Sequence, residues 1–523
     1  MDEAAIGVLS ARFMRGLETA PAQPAIRINS DTLSYAEAHR TALRWAAVLT
    51  EHAGGRPAPV GVLAAGSIPA YVGILAALYA GATVVPLHPD FPPARTRAML
   101  DAAGVTVVVT DEPAVAGLPA SLPAGRDVAV LVAGQDPQPR SPLRMLPGRS
   151  GRPLPAPRPV LPGDAAYMLF TSGSTGRPKG VPITHASLAH YFRLLDQRYD
   201  FDSADVFSQT FDLNFDCAMF DLFCAWGAGA QLLRVPGQAY RDLPGFLAAH
   251  QVSVWFSTPS SIGLVRRLGG LGAGSLPTLR RSFFAGEALR CRDAAHWQDA
   301  AVNSTVENLY GPTELTITVT RHRYGAGSHQ LAVNGVVPIG PLHDGHEQLL
   351  VDEAGQPVAD EGELWVSGPQ LAPGYLDPAD GDGRFVVRDG RTWYRTGDRV
   401  RRTSGGELLY LGRLDAQVQV HGWRVELAEI EHAVRGCVGV DDAAVLDVTV
   451  DDTTELVVFY TGRPAAVVEL TRQLRQSLPQ RLVPRSYEHR DELPLNANRK
   501  VDRPALRARA REMVTGFPKL APA

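Results

Sequence analysis

Residues 169–185 read LFTSGSTGRPKGVPITH, and within them Thr171, Ser172, Gly173, Ser174, Thr175, Gly176 and Lys179 bring hydroxyls, glycines and a cation into one short stretch. Glycine lets the backbone turn so that successive N–H groups face one concavity, hydroxyls add donors, and a lysine adds a full charge; together they make an anion cradle. The spacing is not that of the G-x-x-x-x-G-K-[ST] loop. Gly173 and Gly176 stand too close, Pro178 precedes the lysine, and Gly180 occupies the place where Ser or Thr is needed. An apolar run at 165–170 reads as the strand that delivers this loop.

Further along, NLYGPTE spans 308–314, YRTGD ends at Asp398, GRLD ends at Asp415, and NANRKVDR carries Lys500. The segment 210–231, TFDLNFDCAMFDLFCAWGAGAQ, includes the Phe-Asp pairs Phe211-Asp212 and Phe215-Asp216. LSYAE (33–37), LYAGATVVPLHPDFP (78–92), QVQVHGWRVELAEIE (417–431) and LPQRLVP (478–484) complete the set. In this order, and over nearly the whole chain, these strings resemble the adenylate-forming superfamily and, within it, the amino-acid adenylation domains of nonribosomal peptide synthetases.

The resemblance implies an ATP-dependent, AMP-forming amino acid–carrier protein ligase. A small-molecule amino acid would be activated with ATP as aminoacyl-AMP, releasing pyrophosphate. It would then pass to the phosphopantetheine thiol of a separate carrier protein, in nonribosomal peptide, antibiotic or related biosynthesis. The loop 171–180 would hold the leaving phosphates, Thr313 would contact the α-phosphate, and Glu314 would hold Mg²⁺. Tyr310 would stack on adenine with Asn308 and Gly311 beside it; Asp398 would take the ribose hydroxyls, and Arg413 would support that end. Lys500 would bridge the substrate carboxylate and the α-phosphate, neutralising charge as two anions approach. Arg499 replaces the glycine usual before that lysine. Asp216 would pair with the α-ammonium. Cys217, Phe220, Phe256, Phe283, Ala285, Leu309, Ile317 and Thr318, all uncharged, would form a pocket for a small or medium aliphatic side chain. Asp415 would be the hinge that swings the C-terminal unit from an adenylating to a thiol-acylating pose, withdrawing Lys500 and turning Gly422 towards the thiol's tunnel. The resemblance leaves room for a small activator protein. A sibling ligase making a CoA thioester or an amide shares the scaffold, but Asp216 and NANRKVDR argue against it. A non-catalytic nucleotide-binding module is the alternative of another class, and the intact Lys179, Glu314, Asp398 and Lys500 argue against that.

The elements that must position these residues are readable in coarser terms. At 523 residues the chain spans more than one domain, and 45% hydrophobic with 20% charged residues is ordinary for a globular protein. A net charge of −4 gives no global field for nucleic acid or an anionic membrane, so a phosphate site must be local. Four cysteines without a C-x-x-C pair predict reduced thiols in a cytoplasmic setting, neither a disulfide framework nor a zinc site. No long apolar run opens the chain and none is long enough to span a membrane, so neither signal peptide nor membrane association is expected.

Strand-like APVGVLAAG, TVVPL and GVTVVVTD alternate with helix-patterned IPAYVGILAALYAGA and RTRAMLDAAG, predicting parallel sheets covered on both faces. Residues 135–162, with nine prolines, predict an exposed connector. The expected fold is α/β. An adenylation core, 1–414, would hold two doubly wound α/β subdomains and a small β-barrel-like subdomain, followed by a small mobile α+β domain, 415–523, carrying Lys500. GGLGAGS at 269–275 superficially resembles a phosphopantetheine attachment site but reads as a loop. Only 23 residues follow Lys500, short of the ~50 of a small folded domain, so a free-standing ligase is expected.

Overall fold

The computed structural model describes residues 7–64, 66–136, 143–171, 177–381, 383–414, 417–420, 422–450, 453–494 and 501–515. The short strands Val60–Leu63, Val84–Leu87, Val107–Thr110 and Ala129–Val132 are buried at every position. Valine-rich runs with no polar face suit a parallel sheet covered on both sides, and these four form the parallel centre of a seven-stranded sheet. Ala165–Thr171 joins it in parallel, and Lys179–Thr184 closes that edge antiparallel.

A second sheet has eight strands, in the order Thr320–Arg323, Thr305–Tyr310, Arg281–Phe284, Val254–Ser257, Val206–Gln209, Gln231–Arg234, Pro24–Ile28, Asp31–Ser34. All but its two edge strands run parallel. The helices Ile68–Tyr79 and Cys217–Ala228 are apolar almost all round, and both lie in one core shared by the two sheets. A helix without a polar face is one buried on every side.

The proline-rich 135–162 stretch departs from a simple exposed connector. Met145–Leu146 pairs in parallel with Ala129–Val132 at the sheet edge, Leu146 and Val160 are buried, and the Leu154 N–H donates to the Leu43 carbonyl. Proline is compatible with an edge strand, where one face needs no ladder partner.

Beyond residue 340 the sheet is antiparallel, with six strands between Glu347 and Arg413 and a bulge between Arg399 and Val400, beside Asp398. The last described unit contains the hairpin Gln417–Val420/Trp423–Glu426 and the sheet Val440–Val450, Thr453–Gly462, Ser486–His489. Alternation along Val440–Val450 splits its two cores. Ala443 and Val445 pack with the helices Leu427–Arg435 and Val467–Leu474, while Ala444, Leu446 and Val448 pack with the helix Arg503–Thr515. Among the described residues no helix is long and apolar enough to cross a membrane.

Candidate active site

Four parallel strands of the eight-stranded sheet, ending at Gln209, Ser257, Phe284 and Tyr310, point their carboxyl ends at one region. Open α/β sheets bind ligands there, because the loops that leave the strands diverge. The cavity at this edge is about 150 Å³, and Asp216, Cys217, Ala285, Asn308, Leu309, Tyr310, Gly311, Thr313, Asp398 and Arg413 are among its lining. Residues separated by almost two hundred positions thus meet on one surface.

At one end the Tyr310 hydroxyl donates to Asp398 Oδ2 at 2.5 Å, and Arg413 Nη1 donates to Oδ1 at 2.9 Å. Arg413 Nη2 also donates to the Thr396 carbonyl at 3.0 Å, so the carboxylate is held from both sides on the rigid strand pair. Burial first, then the Asp398 charge, pushes the Tyr310 hydroxyl well above its ordinary range, which keeps it a donor. Asn308 borders the cavity while its amide NH₂ donates to the Val337 and Pro338 carbonyls at 3.3 and 2.9 Å, tying the strand to its neighbouring loop. A Cβ on Gly311 would stand 2.6 Å from the Thr318 Cα, so only glycine permits this close approach.

At the other end Asp216 sits at the N-terminus of the helix Cys217–Ala228. It is buried, and its Oδ2 has no hydrogen-bond partner among the described residues. Burial pushes its carboxyl up to about 6; the Thr313 hydroxyl and Cys217 N–H pull it down, and the Glu314 charge pushes it further up. Burying a carboxylate oxygen without a hydrogen bond is costly, and a cationic group would offset that cost. Glu314 is buried beside it and accepts a hydrogen bond from the Tyr375 hydroxyl at 2.6 Å. Lys179 pairs with Thr171 across the strands flanking the glycine-rich loop, and its Nζ lies 5.4 Å from the Tyr375 ring centre. The described residues contain no group of three or more His, Cys, Asp or Glu able to hold a metal. A single buried carboxylate such as Glu314 is compatible with a magnesium ion held otherwise by substrate phosphates and water.

Phe220, Phe256 and Phe283 are fully buried and are not part of the cavity wall. They pack on one another at ring separations of 4.9, 5.2 and 6.2 Å, behind Cys217. Ile317 and Thr318 are likewise behind the wall, with Thr318 Oγ1 and the Tyr191 hydroxyl 3.0 Å apart. Ser172, Gly173, Ser174, Thr175, Gly176, Asp415 and Lys500 lie outside the described residues.

Three neighbours escaped the reading of the sequence: Tyr375, Gln370 and Glu287. Glu287 lines the cavity, accepting the Ser260 N–H at 2.9 Å and the Gly422 N–H at 2.7 Å. Gly422 has φ +83°, and a Cβ there would meet Thr258 Cγ2 at 2.9 Å. Gln419, Gly422, Thr258 and Glu287 also line a wider groove of about 1080 Å³.

The AMP-binding enzyme family matches residues 13–376. An L-proline–[L-prolyl-carrier protein] ligase of Streptomyces coelicolor is 35% identical over 444 residues, covering 82% of this chain and 82% of its own. The crystal structure of IdnL7 is 55% identical with a TM-score of 0.74, covering 98% of this chain and 99% of its own. The Vibrio cholerae adenylation domain AlmE, in complex with glycyl-adenosine-5'-phosphate, is 28% identical with a TM-score of 0.80, covering 97% of each chain. The chain belongs to the AMP-binding enzyme family and is an ATP-dependent ligase.

Proposed function

We propose that this enzyme activates a small aliphatic amino acid with ATP as its aminoacyl-adenylate, releases pyrophosphate, and passes the acyl group to the phosphopantetheine thiol of a carrier protein. The observation that carries this reading is the buried Oδ2 of Asp216 on the cavity wall, which has no hydrogen-bond partner among the described residues, in the same cavity as the Tyr310–Asp398–Arg413 group. An α-ammonium would satisfy that oxygen and return the carboxyl to its charged form.

The side chain would then face Cys217, Ala285 and Leu309, with three packed phenylalanines closing off depth behind them. Relatives agree in kind: one acts on L-proline, and another holds glycyl-adenylate. Asp398 and Arg413 would fix the ribose and Tyr310 would stack on adenine. Lys179 with the 171–180 loop would cradle the leaving phosphates, and Thr313 would contact the α-phosphate. Mg²⁺ at Glu314 would supply positive charge to the phosphates. Lys500 would neutralise the approach of the two anions, and rotation at Asp415 would then exchange it for the hairpin. The present placement of Gln419 and Gly422 at the cavity suits the thiol-acylating pose.

ATP–pyrophosphate exchange over a panel of L- and D-amino acids and their des-amino analogues tests the proposal. Strongest exchange is expected with residues from alanine to isoleucine in size. Preference for a charged or large aromatic amino acid would overturn the side-chain assignment, and preference for an acid without an α-amino group would overturn Asp216.

A further inference from the structure

Between Glu314 and the strand Thr320–Arg323 the backbone takes an unusual course. Thr316 and Ile317 have φ of 58° and 69°. Two successive β-branched residues in the left-handed region are a genuine outlier, and such strain persists only where the surroundings over-determine it. One side chain spans this turn. The Nε2 of Gln370, fully buried, donates to the carbonyl oxygens of Leu315, Thr316 and Thr318 at 3.1, 3.1 and 2.9 Å. In return the Thr316 hydroxyl donates to the Gln370 carbonyl at 2.7 Å.

Two residues on, the Ala372 N–H donates to the Glu314 carbonyl at 2.8 Å, so the same segment grips both ends of the turn. What the turn joins is the site itself. Thr313 and Glu314 precede it, and Val319 after it donates its N–H to the Tyr310 carbonyl at 2.7 Å.

We propose that Gln370 is a positioning residue for adenylation. Its amide holds the strained turn 315–318 in the one shape that keeps Thr313 and Glu314 aligned with Tyr310 and Gly311. The proposal rests on the adenylation reading above. It touches no substrate; its effect passes through the backbone, where a small misplacement of reacting groups is enough to slow catalysis by about a hundredfold.

Gln370→Met keeps the length of the side chain and removes its donors. In the full-length enzyme the variant should fold, lose about ten- to a hundredfold in exchange turnover, need more Mg²⁺ for half-maximal rate, and unfold at a lower temperature. Adding Thr316→Gly, which takes a left-handed φ without strain, should recover most of both the rate and the thermal midpoint. Gln370→Met with wild-type rate and Mg²⁺ requirement would overturn the proposal. So would losses that Thr316→Gly leaves untouched, or failure of both single and double variants to fold. If the unmutated enzyme exchanges no amino acid, the adenylation reading fails by itself, and the coupling of thermal midpoints between positions 370 and 316 still decides whether the clamp exists.

Discussion

At Asp216 the folded protein holds a carboxyl whose proton leaves only near pH 6, against 3.8 for an exposed aspartate. Between those two values the folded state binds more protons than the unfolded one, so stability falls as pH rises through that window. Above it the buried charge costs the ligand-free protein on the order of 2–3 kcal/mol. Asp216→Asn should therefore be more stable than the parent at pH 7, with the difference shrinking towards pH 4, as read by urea denaturation at both values. The same variant should bind its amino acid poorly, and in the parent the amino-acid KM should rise below about pH 6 as the carboxyl gains its proton. A less stable Asn variant at pH 7 would mean that Asp216 already has a cationic partner. That Asp216 would face the site could be expected from the chain, because the string after it registers against the family's pattern, and it does line the cavity. Tyr375 and Gln370 could not be expected there, since Tyr375 reaches Glu314 across 61 positions and Gln370 reaches Thr316 across 54; such pairs exist only once two sheets are folded against each other.

The helix Cys217–Ala228 links that residue to the core. Its first turn brings Phe220 onto Phe256 and Phe283, which sit side by side in paired strands. The resemblance assigned all three phenylalanines to the substrate pocket; in the fold they pack on one another and do not border the cavity, because strand residues that face the covering helix are occluded by it. Phe220→Ala should leave a void behind Cys217, at about 3–5 kcal/mol of stability, and extend the reach of the pocket. Exchange with phenylalanine or methionine should rise relative to alanine; an unchanged ranking would show that the aromatic layer does not limit size. The strands Val60–Leu63, Val84–Leu87, Val107–Thr110 and Ala165–Thr171 and the helix Ile68–Tyr79 were plain from their apolar runs and lengths. The edge strand Met145–Leu146 was hidden among prolines, because its two residues are shorter than any periodicity can reveal.

Over the whole molecule, the C-terminal unit has its own two cores and meets the rest through a few specific contacts. Arg95 Nη1 donates to Glu429 Oε1 at 2.5 Å with both side chains buried, Arg481 lies 3.7 Å from Asp212, and Glu287 holds Gly422. Removing one partner of a buried ion pair costs about 3–5 kcal/mol because the other is stranded. Arg95→Ala should therefore loosen this docking more than the Arg95→Glu/Glu429→Arg exchange, which restores an ion pair. Hydrogen exchange of the hairpin amides should rank them in that order. The site motifs also predict that Lys500→Ala loses adenylate formation yet still passes a preformed aminoacyl-adenylate to a thiol. Single-turnover measurements of each step should separate them, and equal losses in both would remove the two-pose reading.

The indole of Trp423 stands 4.8 Å from the Phe215 ring and 5.9 Å from the Phe91 ring, on the hairpin whose turn residue Gly422 is held by Glu287. Its emission is consequently a built-in optical gauge of docking. Shielded between two hydrocarbon rings it should be blue-shifted, and undocking should expose it to water and redden it. The turnover cycle can then be watched in a stopped-flow cell without any attached dye, and Trp423→Phe supplies the blank.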